Sequence, residues 1–184
     1  IVKEMSDQLS LNLVSQQLVC NGVALSIGYD IDNLKDDQGF FYKGEVVIDH
    51  YGRKIPKHAH GSRGLGCYSS ASTLIRAAMC DIFDSVVDPV LTIRRINVTA
   101  CNVIPQSQAK NIETNEQLNL FVDYEKVDQQ KAALEKQMQK EQSVQETLLQ
   151  IKQKYGKNAV LKGMNLEEGA TTKQRNEQIG GHKA

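Results

Sequence analysis

Residues 23–30 alternate without a break. Val23, Leu25, Ile27 and Tyr29 fall on one side of an extended chain, and Ala24, Ser26, Gly28 and Asp30 fall on the other. A strand with one side this apolar has to be covered, and the cover is also in the sequence. Leu74, Ile75, Ala78, Met79, Ile82, Phe83 and Val86 form a broad stripe of helical period over residues 69–87. Ser69 or Ser70 is the expected N-cap, and Asp88-Pro89 the stop. The opposite side of the strand is unusually small, so another backbone can approach it closely.

The other segments fit around this pair. Val2, Met5, Leu9 and Leu13 predict a helix over residues 1–17, with Asn21-Gly22 as its turn. Residues 31–39 read as an acidic loop. Residues 42–50 and 53–60, joined at Tyr51-Gly52, read as a hairpin arm with a basic return strand, and residues 61–67 as a further short strand. In the last strand, residues 91–103, Ile96, Val98 and Ala100 face the core and Arg95, Asn97 and Thr99 share the outer side. Parity puts Arg94 on the core side, near the strand's start, where its long side chain can reach back to water.

The expected fold class is therefore α+β: a small antiparallel sheet backed by two helices, then a long helix. The domain at residues 1–104 includes the loop and arm at 31–60. A polar linker follows at 105–122, the helix at 123–156 and a glycine-containing tail at 157–184. The helix lacks Pro and Gly, and its thin stripe (Val127, Leu134, Met138, Val144, Leu148, Ile151, Tyr155) suits a lone or loosely coiled helix. The tail reads as mobile. The chain opens at Ile1 rather than at a methionine, and the expectation is a fragment of a longer protein. No apolar run is long enough to span a bilayer. Cys20, Cys67, Cys80 and Cys101 are scattered, which suits a reducing cytoplasm.

Lys and Arg together number 22, as do Asp and Glu, so net charge announces no partner. Distribution says more. Residues 51–80 contain no acid but include Arg53, Lys54, Lys57, Arg63 and Arg76, and residues 89–112 contain no acid but include Arg94, Arg95 and Lys110. A basic surface balanced by acids elsewhere is the footprint of a phosphate binder. His58 and His60, beside Lys57 and Arg63, fit phosphate donation better than zinc, because no closed four-ligand spacing is present. Asp36-Asp37 and Glu167-Glu168 are adjacent carboxylates in loops, not a converging two-metal set. No nucleophile elbow, P-loop or dinucleotide fingerprint occurs. The chemistry left is binding: backbone amides, Ser26, Arg95, Asn97 and Thr99 set against phosphate oxygens.

Gln117-Leu118-Asn119-Leu120-Phe121 sits in acidic, amide-rich sequence with no core of its own, and reads as an exposed docking peptide. It resembles the motif Gln-Leu-(Ser/Asp)-Leu-Phe by which bacterial polymerases bind the sliding clamp. Gln117 would be held by hydrogen bonds, and Leu118, Leu120 and Phe121 would supply the apolar contact. Asn119 departs from the usual Ser or Asp. Ile93-Arg94-Arg95-Ile96-Asn97-Val98 resembles the last strand of the little-finger domain of Y-family, DinB/UmuC-type translesion DNA polymerases. The segments 49–61, 161–172 and 178–184 look like parts of such proteins in Gram-positive bacteria.

The resemblance implies a DNA-repair role. A non-catalytic segment would grip double-stranded primer–template DNA by its phosphates and bind the sliding clamp. The parent would be a DNA-directed DNA polymerase in the SOS response. Its Mg²⁺-binding palm would lie outside this chain, and this segment would need no cofactor or metal. The implied DNA contacts are Ser26, Arg53, Lys54, Lys57, His58, His60, Arg63, Arg94, Arg95, Asn97 and Thr99. The family's domain begins with a central strand before its first helix. The expected sheet is thus ferredoxin-like βαββαβ without its first strand, its place left as a gap or filled by the arm or a neighbouring molecule. The competing expectation is a protein-interaction module that dimerises through the long helix. An RNA-binding sheet is disfavoured, because the outer positions carry no aromatic side chain.

Overall fold

A computed structural model describes residues 1–35, 42–109, 124–179 and 182–183. The fold class is the expected one. Helix α1 (Val2–Ser15) leads into strand β1 (Leu18–Tyr29), and β2 (Val46–Ile48) and β3 (Lys54–Pro56) form a separate hairpin. Then follow β4 (Ala59–Ser69), helix α2 (Ser72–Val86), β5 (Ile93–Cys101) and β6 (Ile104–Pro105). A short turn of helix, α3 (Gln106–Ala109), ends this part. The long helix α4 (Tyr124–Tyr155), the short α5 (Thr172–Asn176) and a small hairpin, β7 (Gln178–Ile179) with β8 (His182–Lys183), complete the chain. Among the described residues no helix is long and apolar enough to cross a membrane.

Strand β1 is the centre of the sheet. It pairs antiparallel with β4 on one side and with β5 on the other, and β6 continues the second ladder. Strand β1 itself holds the central place expected to stand empty or be filled by the arm or a neighbour, and the arm β2–β3 pairs only with itself. Asn21-Gly22 is not the turn after α1. It lies within β1, where Gly22 faces Gly64 and Cys101 across the two ladders. The chain reverses earlier, at Gln17, whose φ of 55° places it in the left-handed region. Asn102, at φ 51°, lifts the chain between β5 and β6, and its amide donates to Asn21 Oδ1 at 2.8 Å.

The inner face of β1 supplies the core. Val23 and Ile27 are fully buried and Leu25 and Tyr29 nearly so, against Ile75, Met79 and Ile82 of α2 and Val2 and Leu13 of α1. Each buried aliphatic side chain contributes about 1.5–3 kcal/mol. Helix α2 sits so close to β4 that a β-carbon at Gly61 would fall 2.7 Å from Ile82 Cγ2. The four cysteines are free, and burial pushes the Cys20 thiol up to about 11.

The long helix is not alone. The cap of α2 is Ala71, whose N–H is turned onto Ser69 Oγ, and the open amide of Thr73 is taken by Glu141 of α4 at 2.9 Å. Gln145, also on α4, is buried and donates to Ser10 Oγ at 2.5 Å and more weakly to the Ser70 carbonyl at 3.4 Å. Nor is the tail loose over its described length. The buried Glu4 carboxylate accepts from the backbone amides of Thr171 (3.0 Å) and Thr172 (3.2 Å) and from Asn165 Nδ2 (3.0 Å), with Arg175 at 3.5 Å. One turn on, Asp7 meets Lys162 at 2.5 Å and the Ser72 hydroxyl. The docking surface of α1 is thus its polar side, which an apolar stripe does not reveal.

Burial alone would raise the pKa of Glu4, but the hydrogen bonds from Thr172, Thr171 and Asn165 outweigh it and bring the carboxyl down to about 2. A depressed pKa stabilises the fold above the unfolded carboxylate range, and that stability drains as pH falls towards 2. Glu4→Ala should cost roughly 1.5–3 kcal/mol in urea unfolding at pH 7. It should also speed tryptic cleavage near Lys173 and Arg175. Unchanged stability and unchanged cleavage would show that the tail does not depend on this carboxylate.

Candidate nucleic-acid interface

Among the described residues, no helix covers the second face of the sheet along the middle of β1. Its centre is the small side of β1: Gly22, Ala24, Ser26 and Gly28. The registers set these residues into rows across three strands. His60 stands beside Ser26, and Ser26 beside Asn97. Ser62 stands beside Ala24, and Ala24 beside Thr99. Arg95 stands beside Gly28, and a β-carbon on that glycine would lie 3.4 Å from Arg95 Cβ and 3.5 Å from the His58 imidazole. Each row spans about 10 Å at ordinary strand spacing. The result is a shallow trough with a bare floor, and its walls carry hydroxyls, an amide, imidazoles and a guanidinium.

Arg95, Asn97 and Thr99 are all exposed, and Ile96, Val98 and Ala100 pack inward, as the alternation requires. Arg94 does not follow parity. The ladder shifts between Gly28 and Tyr29, so that Gly28 faces Arg95 while Tyr29 faces Ile93. The extra residue of this β-bulge is Arg94, and it turns out to solvent instead of reaching out from the core. Two guanidiniums therefore emerge side by side, Arg94 at 3.6 Å from Asp30 and Arg95 with no acidic partner among the described residues.

The arm stands beside this bulge. Asp49 fixes its turn, with Oδ1 accepting the amides of Tyr51 and Arg53 at 2.9 Å each and Oδ2 accepting Arg53 Nε at 2.8 Å. The Arg53 contacts hold the Asp49 carboxyl below its usual pKa and raise that of Arg53. Between the arm and the sheet runs a cleft whose lining includes Gly28, Ile31, Val47, Ile55 and His58, together with His50, Tyr51, Arg94 and Arg95.

Of the residues read as DNA contacts, Ser26, His60, Arg95, Asn97 and Thr99 meet on the open face, with His58 and Arg94 at its end. Arg53, Lys54 and Lys57 lie on the arm. Arg63 does not join them. It shares the register of buried Val23, on the helix side of β4, and pairs with Asp81 of α2 at 2.7 Å. Several other basic residues also have acids beside them: Lys57 has Glu45 at 2.6 Å, Arg53 has Asp49 at 2.7 Å and Arg76 has Asp7 at 3.9 Å. Acid-free sequence is therefore not acid-free surface, because the partners lie outside the acid-free stretches, in α1, in α2 and at the two ends of β2. Sequence reading passed over Ser62, although it shares the parity of His60, and Tyr51, which it took only as a turn residue. The docking peptide at residues 117–121 lies outside the described residues. Among the described residues no three His, Cys, Asp or Glu side chains group as metal ligands.

No family model matches the chain, and no curated protein matches it.

The two arginines on opposite sides of the sheet make a direct comparison. Arg95→Ala should weaken binding to heparin roughly fivefold and lower the salt needed for elution. Arg63→Ala should elute with the parent protein. Equal shifts in both variants would mean that the open face has no special claim on anions.

Proposed function

We propose that this chain is the DNA-holding, clamp-recruiting segment of a translesion DNA polymerase of the DinB/UmuC type, with bond-making carried out elsewhere in the protein. The observation that supports this most is the uncovered sheet face, with small side chains along its middle and Arg95, Asn97 and Thr99 exposed at its side. A phosphodiester backbone laid in the trough meets hydrogen-bond donors from all three strands. Arg95 gives the charge-assisted contact. Asn97, Ser26, Ser62 and Thr99 add neutral donors, and His60 and His58 mark the opposite wall. Contacts of this kind go to phosphate oxygens, which carry no base identity, so the grip is indifferent to sequence. The peptide Gln117–Phe121 would tether the holder to the sliding clamp, with Leu120 and Phe121 as anchors. Mg²⁺ belongs to the catalytic part and not to this segment.

A dimerising module is the second reading, and the exposed Leu134 and Val144 on α4 favour it. Sedimentation separates the two, because the polymerase reading does not require a dimer.

Anisotropy of a labelled primer–template duplex tests the proposal. With three phosphate contacts, affinity should fall roughly 40-fold between 50 and 200 mM salt. Leu120→Ala with Phe121→Ala should abolish clamp binding and leave duplex binding intact. Duplex binding that is absent or insensitive to salt defeats the DNA half of the proposal. Clamp binding that survives the double substitution defeats the other half.

A further inference from the structure

The tip of the arm carries an exposed phenol ring. Tyr51 is 78% exposed. The Arg53 guanidinium lies 5.0 Å from the centre of its ring, and the His50 imidazole meets it edge-on at 5.5 Å and 71°. Asp49 pins Arg53 from the other side at 2.7 Å, so the arginine is held in place and does not sweep through solvent. A large ring on a loop tip loses apolar contact with water when something flat covers it, and here both the ring and its flanking groups are already oriented.

The ring lines the cleft between arm and sheet. Val47, Ile55 and Ile31 give that cleft an apolar wall, Gly28 gives it room, and Arg94 and Arg95 stand on its sheet side. Asp49 also lines it, and Asp30 lies 3.6 Å from Arg94, so its charge is only modestly positive. Strong attraction to a bare phosphate is therefore not what it offers. It offers a stacking surface and an apolar wall next to guanidiniums. The matching chemistry is a flat aromatic ring linked to a phosphate. A base inside a duplex has both faces occupied by its neighbours, but an unpaired base has a free face.

We propose that the arm captures an unpaired nucleotide at the end of the duplex that the sheet holds, stacking its base at Tyr51 and steering the adjoining phosphate to Arg94 and Arg95. This rests on the duplex-holding reading of the open face and adds to it a preference for a junction between double and single strand. Stacking at Tyr51 supplies the base-dependent part, and the arginines supply the salt-dependent part.

Three labelled probes test it: a blunt duplex, the same duplex with a five-thymidine overhang, and the same duplex with five abasic sugar-phosphates. The thymidine overhang should bind roughly tenfold tighter than the blunt duplex, and the abasic one should recover only a salt-sensitive fraction of that gain. Tyr51→Ala should erase the difference between thymidine and abasic overhangs and leave blunt-duplex affinity unchanged. Tyr51→Phe should keep the difference, which guards against a loss caused by misfolding. Equal binding of thymidine and abasic overhangs overturns the inference, as does a gain that survives Tyr51→Ala. If the blunt duplex fails to bind while oligothymidine binds through Tyr51, the sheet reading falls and the arm's nucleotide site stands. If no nucleic acid binds, both fall.

Discussion

Everything in this molecule depends on one strand having two unequal sides. The inner side of β1 is all aliphatic or aromatic and closes the core against two helices. Its outer side has almost no side chain. Antiparallel partners on both edges satisfy its backbone, so the strand stays central without help from that outer side. A sheet that needs nothing on its outer face is free to hold something there. The trough is a by-product of how the core is built, and the residues that line it sit on the two neighbouring strands.

That division was legible in the sequence because a period of two is hard to mistake. Alternation over 23–30 and again over 95–100 fixed which residues look inward and which look out. Arg95, Asn97 and Thr99 are where parity puts them. Parity failed at Arg94, where one extra residue shifts the register, and nothing local in Ile93-Arg94-Arg95 signals a bulge. It failed in a different way at Asn21-Gly22. That pair is a strong turn signal in isolation, yet here it is drawn into the strand, while the reversal falls on Gln17.

The larger surprise is the second half of the chain. An apolar stripe is the signal for docking, and α4 has only a thin one. The attachment is made instead by Glu141 at the open end of α2, by Gln145 against Ser10 and Ser70, and by Glu4 gathering the amides of the tail. Such contacts leave no periodic trace, because a buried Glu or Gln looks the same in sequence as a solvated one. The same blindness affects charge. Arg53, Lys57 and Arg63 lie in an acid-free stretch, but the fold sets Lys57 beside Glu45 and Arg63 beside Asp81, and Arg53 is held by Asp49 of its own turn. The unshielded positive charge on the open face comes down chiefly to Arg95.

The bond between Glu4 and the amides of Thr171 and Thr172 joins the first turn of the chain to a point 167 and 168 residues further on. Contacts that distant in sequence form late, after the entropy of closing a long loop has been met. While the chain is being synthesised, the sheet and its two helices can assemble first, with Glu4 and Asp7 still hydrated. The segment carrying Lys162, Thr171 and Thr172 emerges later and then finds its acceptors already in place. That segment thereby acts as a completion mark for the fold, and a chain lacking it would keep its core yet show an acidic, uncovered flank on α1.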